Sequence, residues 1–345
     1  LSAGGESFVL KVDAADGKLA SGLGEGENEY AAIFTTSGKN IEWEVPTDLV
    51  NVQFLVVGGG GGGGAIVNAS QGVGQGGAGG GGGGVVTGIV SSLSRGQKIN
   101  IYVGKGGAGG TTTTETTVSN RKGVDPDGDG TDYGIGGAYS GEDSYFAVED
   151  DEYVRAYGGG GDSGAGSNGR LGGSNSGGRT TTAQGNPKKG MIGDAVVENI
   201  ANYKIFGNKG GLRISSTPNA AGGGGGAGEA GKSATYSSKN QIGGQGGEGI
   251  VSSITGSEVV YGSGGAGGFY GNIIEGNQGG FGNKGGTGAG DGSGESAKAN
   301  QGGGGGGGTT YPKSATTGSD PLDWKPDAII GGNGGSGIVV LRFSI

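Results

Sequence analysis

Four uninterrupted glycine runs, at residues 58–64, 79–84, 222–226 and 302–308, constrain this chain more than any other feature. A bare run has no side chain from which to build an apolar interior. Glycine fills 97 of 345 positions, and hydrophobic residues make up only 31%. Fixing a glycine costs roughly 0.5–1 kcal/mol more backbone entropy than fixing an alanine. With about 70 glycines above the average, order would cost several tens of kcal/mol. Only main-chain hydrogen bonds and close main-chain packing remain to offset that cost. Seven prolines exclude collagen, which needs abundant proline and a strict triplet repeat.

Strand signals cluster towards the two ends. "FVLKV" (8–12) is short and β-prone, and strands are expected near 31–35 and 41–45 with a turn at 37–40. "VNVQFLVV", "GGVVTGIVSSL", "QKINIYVGKGG" and the closing "SGIVVLRFSI" continue the pattern. The one stretch that reads as a helical turn or two is "DAVVENIANYKIF" (194–206).

Other glycine segments repeat every third residue: "GKGGAGG" (104–110), "GGQGGEG" (243–249), "GGAGGF" (264–269) and "GGNGGSG" (331–337). Three residues per turn is the period of an extended polyproline-II helix, which makes no internal hydrogen bonds. Its N–H and C=O groups must find partners on neighbours. A GGx segment turns two bare faces inward and one side chain outward, whereas an all-glycine run suits the middle of a bundle. The expected fold class is therefore all-β, with a bundle of polyglycine-II helices set against or between the strands in place of much of a normal core; long ordered loops of no common geometry are the alternative. Residues 1–30 read as an N-terminal strand and linker, and 31–345 as one glycine-rich domain with a polar insertion at 111–155.

"WEVPTDLVNVQFLVVGGGGGGG", "GGVVTGIVSSLSRGQKINIYVGKGGAGG" and "GGNGGSGIVVLRFSI" together resemble the glycine-rich domain of phage tail adhesins and microbial surface proteins. That resemblance covers 41–345 and implies a jelly-roll-like β-sandwich scaffold with polyglycine-II helices, and surface attachment or assembly. Adhesin binding residues sit in variable loops, so it carries over no site residue.

Several motifs imitate catalytic or cofactor sites. The strand running into 58–64 mimics a dinucleotide turn, but no amphipathic helix follows and no Asp or Glu occurs between Gly58 and Thr114. "GAGEAGKS" (226–233) matches a phosphate loop formally, yet poly-glycine precedes it where a strand is required. The chain has no Cys and no His, which removes thiolate chemistry and the commonest general base. No spacing singles out a Ser–Lys or paired-carboxylate centre, so no catalytic residue is expected.

"DPDGDGTDYG" places Asp125, Asp127 and Asp129 in alternation with Gly130 at the sixth loop position, as in a calcium loop. Position twelve is Gly136, so the bidentate acid is missing; Asp132 could contribute. Calcium is the one metal these residues suggest, and a turn-rich loop tip is the competing reading. "EDDEY" (149–153) reads as a solvated acidic run, and "NAS" at Asn68 is the single glycosylation sequon. Tyr261, Phe269, Tyr270 and Phe281 punctuate GGx segments. They either cap the bundle edge or offer a stacking surface to a sugar or a partner chain.

Net charge of −9 disfavours nucleic acid and anionic membranes, and no apolar run reaches the roughly 20 residues of a membrane helix. The chain opens at Leu1 rather than Met, which leads to the expectation that a leader has been removed. These features point to a non-enzymatic structural subunit of an extracellular filament or virion appendage, forming homo-oligomers or a homopolymer. Phe8, Val9, Leu10 and Val12 would add to a neighbouring subunit's sheet edge. The alternative is an adhesin for a host-surface glycan or protein, using 111–155 and the aromatic GGx segments.

Overall fold

A computed structural model describes residues 17–21, 29–65, 67–68, 74–111, 137–148, 151–164, 172–178, 185–193, 199–213, 220–237, 240–269, 293–309 and 330–345. In chain order the strands begin with β1 (Gly17–Ser21), β2 (Glu29–Phe34), β3 (Asn40–Glu44), β4 (Leu49–Val57), β5 (Val67–Asn68) and β6 (Gly74–Gln75). Next come β7 (Val85–Leu93), β8 (Lys98–Tyr102), β9 (Ser144–Val148), β10 (Asp151–Ala156), β11 (Gly190–Ile192) and β12 (Ile200–Phe206). The last are β13 (Thr235–Ser237), β14 (Asn240–Ile242), β15 (Ile250–Ser252), β16 (Val259–Tyr261) and β17 (Ile338–Ser344). No α-helix occurs among the described residues, and the fold is all-β.

A six-stranded antiparallel sheet has the order β1-β2-β17-β4-β7-β12, and a five-stranded one the order β11-β10-β9-β8-β3. Alternation along the strands sends Phe34, Val52, Phe54 and Leu341 of the first sheet into one apolar cluster. Trp43, Ile99, Ile101 and Phe146 of the second sheet enter the same cluster. Phe54 meets Phe146 edge-on across it, with centroids 5.4 Å apart. The run Phe54–Val57 is apolar without alternation because β4 is covered on both faces there. Leu55 and Val57 pack, with Val85, Ile338 and Val340, against Ile254 and Tyr261 from the β15–β16 hairpin.

The described strands qualify three expectations. Of the stretch 194–206, Ile200–Phe206 is not a helical turn but an edge strand paired with β7, and tertiary pairing overrides a weak local preference; 194–198 lie outside the described residues. Within the polar insertion 111–155, β9 and β10 supply Phe146, Val148 and Val154 to the core. The linker after residue 12 contains β1, which pairs with β2 in the same chain (Gly17↔Phe34, Ser21↔Tyr30).

The glycine tracts grow out of these strands. β4 continues into 58–64, 76–84 leads into β7, β8 continues into 104–110, and 331–337 leads into β17. In 58–64 the amides take partners in strict rotation. Gly58, Gly61 and Gly64 donate to Gly84, Gly81 and Ala78; Gly59 and Gly62 donate to Glu142 and Tyr139; Gly60 and Gly63 donate to Gly335 and Gly332. The carbonyls follow the same rotation. Gly60 and Gly63 accept from Gly107 and Gly110, Gly59 and Gly62 from Gly159 and Asp162, and Gly61 and Gly64 from Gly305 and Gly308. Tract 58–64 therefore runs antiparallel to the three tracts it donates to and parallel to the three that donate to it. These six flanking tracts also bond to one another in a ring, for example Gly141 N to Gly159 O and Gly331 N to Gly110 O, both 2.9 Å. The result is a closed hexagonal cell. Tracts 76–84 and 221–228 sit at the centres of two further cells in the same row.

Neither 58–64 nor 79–84 contains a glycine at positive φ, so the three-residue screw is the left-handed polyproline-II form. Close approach is what requires glycine here. A Cβ on Gly58 or Gly61 would run into the carbonyls of Tyr157 or Gly160, one on Gly59 or Gly62 into those of Lys105 or Ala108, and one on Gly60 or Gly63 into those of Gly303 or Gly306. All three faces of an interior tract are thus closed by main chain. Tract 243–249 has only two closed faces; its glycines 243, 244, 246 and 247 are buried while Gln245 and Glu248 are exposed. Lys105, Ala108 and Asn333 point out in the same way. The segment 264–269 departs from the rule, because Ala266 and Phe269 are buried.

Candidate functional site

The array has two unlike ends. Next to the sheets lies the layer containing Gly58, Gly84, Gly104 and Gly337; the layer farthest from them contains Gly64, Ala78, Gly110, Gly268, Gly308 and Gly331. From that far layer the described chain departs at 65, 111, 269 and 309, and it returns at 76, 137, 293 and 330. Asp125, Asp127, Asp129 and Asp132 lie outside the described residues. Phe8, Val9, Leu10, Val12, Tyr270 and Phe281 also lie outside the described residues.

Tyr261 and Phe269 are described, and both are buried, at 1% and 0% exposure. Tyr261 joins the cluster over β4 and β17, and burial pushes its phenol pKa up. Phe269 packs with Ala220 and Ala234. Neither ring presents a face to a ligand; each fills space beside bare backbone.

Residues that single-sequence reasoning passed over close the margins of the array. Asp162, fully buried, accepts from the amides of Ala78 (3.3 Å) and Gly164 (3.2 Å). Ser144 Oγ accepts from Gly104 N, Asp143 Oδ1 from Gly158 N, and Asn333 Oδ1 from Gly109 N, at 2.9, 2.9 and 2.8 Å. Short polar side chains thus stand in for a missing tract and spend amides that would otherwise be left open. For Asp162 and Asn333 the signal in the sequence is an Asp or Asn breaking into a glycine tract; Asp143 and Ser144 carry no such signal.

Where the five-stranded sheet meets the array, Tyr102 and Tyr145 stack at 5.6 Å, and the Arg155 guanidinium lies 5.1 Å from the Tyr145 centroid. Arg155 also pairs with Asp143 at 2.8 Å. Tyr102 donates to Glu142 Oε2 at 2.8 Å. Its phenol is pushed up to about 12, first by burial and then by the hydrogen bond to Glu142. The folded chain therefore resists ionising Tyr102 more than the unfolded chain does. Its contribution to stability is intact below pH 10 and is lost as the pH rises from 10 to about 12. Ultraviolet titration of wild type against Tyr102→Phe should show one phenol ionising near the top of that range. Glu142→Gln should bring it back towards 10.0, and no change in that variant would disprove the assignment.

The two imitation motifs have no room for a ligand. Every amide from Gly58 to Gly64 is committed to a neighbouring tract, so none is left to cradle a pyrophosphate. Residues 226–233 form the turn between tracts 221–228 and 231–234, and no helix follows. No helix among the described residues is long and apolar enough to cross a membrane.

Strands that feed a hexagonal glycine array define an all-β, glycine-rich class of protein. A family model for a glycine-rich domain matches residues 35–344, and the chain belongs to that family. No curated protein matches the sequence.

Proposed function

We propose that this chain is a non-enzymatic structural subunit of an extracellular surface filament or virion appendage, and that it assembles with copies of itself. The observation that carries this reading is the closed hexagonal cell around 58–64, in which every main-chain donor of the central tract is spent on a neighbour. Backbone used in this way makes a stiff strut and leaves no preorganised donors for a substrate. The absence of Cys and His and the net charge of −9 are in keeping with a solvated scaffold. Segment 8–12 supplies the assembly strand. The six-stranded sheet ends in β1 and β12 and the five-stranded one in β11 and β3, so donor and acceptor edges lie at different places. A head-to-tail contact of that kind propagates a polymer where its rotation does not close into a ring.

A second reading, a receptor- or glycan-binding adhesin, is favoured by the return of the chain at one end of the array. In this reading the insertion 111–155 and the aromatic GGx segments carry the binding surface.

Deleting residues 1–12 separates the two readings. The shortened protein is expected to keep its thermal unfolding transition and to lose its polymers by negative-stain microscopy and sedimentation velocity. Undiminished assembly would refute the strand-exchange route. Wild-type protein that stays monomeric yet binds whole cells saturably would refute the structural reading and support the second.

A further inference from the structure

A cleft of about 500 Å³ opens where β11 and β12 run into the glycine array, lined by Asn186, Pro187, Lys189, Gly207, Asn208 and Lys209. Its charge is opposite to that of the whole chain. The described stretches 185–193 and 199–213 carry Lys188, Lys189, Lys204, Lys209 and Arg213 and no Asp or Glu, in a protein of net charge −9. Lys188, Lys189, Lys204 and Lys209 are all exposed. Among the described residues, the elements packed against the cleft do not neutralise it. Tract 172–178 is uncharged, and the turn at 228–234 brings Glu229 and Lys232, which pair with each other at 3.1 Å.

The walls are preorganised. The Lys189 stem lies flat over Gly207: its Cγ is 3.2 Å from where a Cβ on that glycine would stand. The Asn208 carboxamide is fixed by donating to Gly226 O and Ala227 O, both at 2.9 Å. At Asn208 and Lys209 the main chain is committed: Asn208 N donates to Ser174 Oγ, Asn175 N to Asn208 O and Gly231 N to Lys209 O. An extended peptide would find no main-chain ladder to join along that wall. What the wall and Lys189 offer a ligand is side chains, namely two ammonium groups flanked by carboxamides. This chemistry suits a carboxylate on a ring bearing hydroxyls. The volume lies within the usual range of small-ligand pockets, roughly 300–1,000 Å³.

We infer that this cleft binds acidic saccharides, with Lys189 and Lys209 holding a hexuronate carboxylate and the carboxamide of Asn186 or Asn208 meeting ring hydroxyls. The site goes beyond the structural role proposed above and stands whether or not the chain polymerises.

The test is calorimetric titration of the full chain with trigalacturonate and with its methyl ester, at low and high salt. Trigalacturonate should bind, and both the ester and 0.5 M NaCl should weaken binding by about tenfold or more, as expected for an exposed ion pair. Lys189→Glu with Lys209→Glu should lower affinity by a similar factor while leaving the melting transition in place. Lys39→Glu, on the opposite edge of the five-stranded sheet, should change it less than twofold. Equal binding of acid and ester would overturn the inference. So would a double variant within twofold of wild type, or no binding by wild type at millimolar ligand. An acidic hexapeptide that binds where trigalacturonate does not would make the cleft a protein-docking site and overturn it as well.

Discussion

Replacing Gly60 by alanine is expected to destabilise the protein by about 3 kcal/mol or more, from a single added methyl group. That methyl would be driven into the Gly303 carbonyl, closer than the 3.0 Å that real Cβ atoms keep. In an ordinary core a neighbouring side chain could rotate away. Here the obstacle is main chain, and it is pinned: Gly302 and Gly305 accept from Gly83 and Gly80, and Gly303 accepts from Gly335. Moving tract 302–308 would break those bonds in turn. Gly60 N also donates to Gly335 O at 2.9 Å, so displacing tract 58–64 instead breaks its own ladder. The control is Gln245→Ala, at an outward position of tract 243–249, which should change stability by no more than about 0.5 kcal/mol. Denaturant melts of both variants check the contrast. A Gly60→Ala protein within 1 kcal/mol of wild type would mean that the array is slack and that glycine is there for another reason.

The second large effect lies between the sheets. Phe54→Ala should cost about 3–5 kcal/mol, the usual range for deleting a buried phenyl ring. Phe54 is 1% exposed and packs edge-on against Phe146 across the interface of the two sheets. Gly88 stands opposite it in the β4–β7 register, and a Cβ there would come within 2.7 Å of the ring. The strand glycine makes room for the phenyl group. The two positions should therefore be coupled: Gly88→Ala should destabilise wild type and partly rescue Phe54→Ala by filling the vacated space. Additive effects in a double-mutant cycle would show that the glycine serves a different purpose. The two variants probe opposite kinds of interior, one ruined by adding a methyl and the other by removing a ring.

Much of the scaffold was legible in the sequence because its signals are local. β2, β3, β4, β7, β8 and β17 follow from short β-prone runs between turn residues. The triplet repeat of 243–249 announced a three-residue screw with one outward position, and Gln245 and Glu248 occupy it. Strands whose partners are distant were harder to see. β12 reads locally as a helical turn because only pairing with β7 makes it a strand, and β1 hides in a polar linker that only β2 organises. For Tyr261 and Phe269 the sequence left edge-capping and a stacking surface both open, because their neighbours in sequence are polar or glycine. What buries Tyr261 comes from β4, β7 and β17, and what flanks Phe269 is Ala220 and Ala234.

The sequence by itself determined that this chain would be built from bare backbone: runs without side chains can be stabilised only through their amides and carbonyls, and their period fixes the screw. It did not determine which tract lies beside which. Seven glycines in a row present the same surface at every register, so 58–64 has no means of choosing 76–84, 331–337 or 302–308 as neighbours. The tertiary structure made that choice. β4, β7 and β17 align through unlike side chains, Val57 opposite Val85 and Ile338, and each delivers its attached tract to the array already in register. Specificity resides in the apolar strands, and stiffness in the glycines they hold in place.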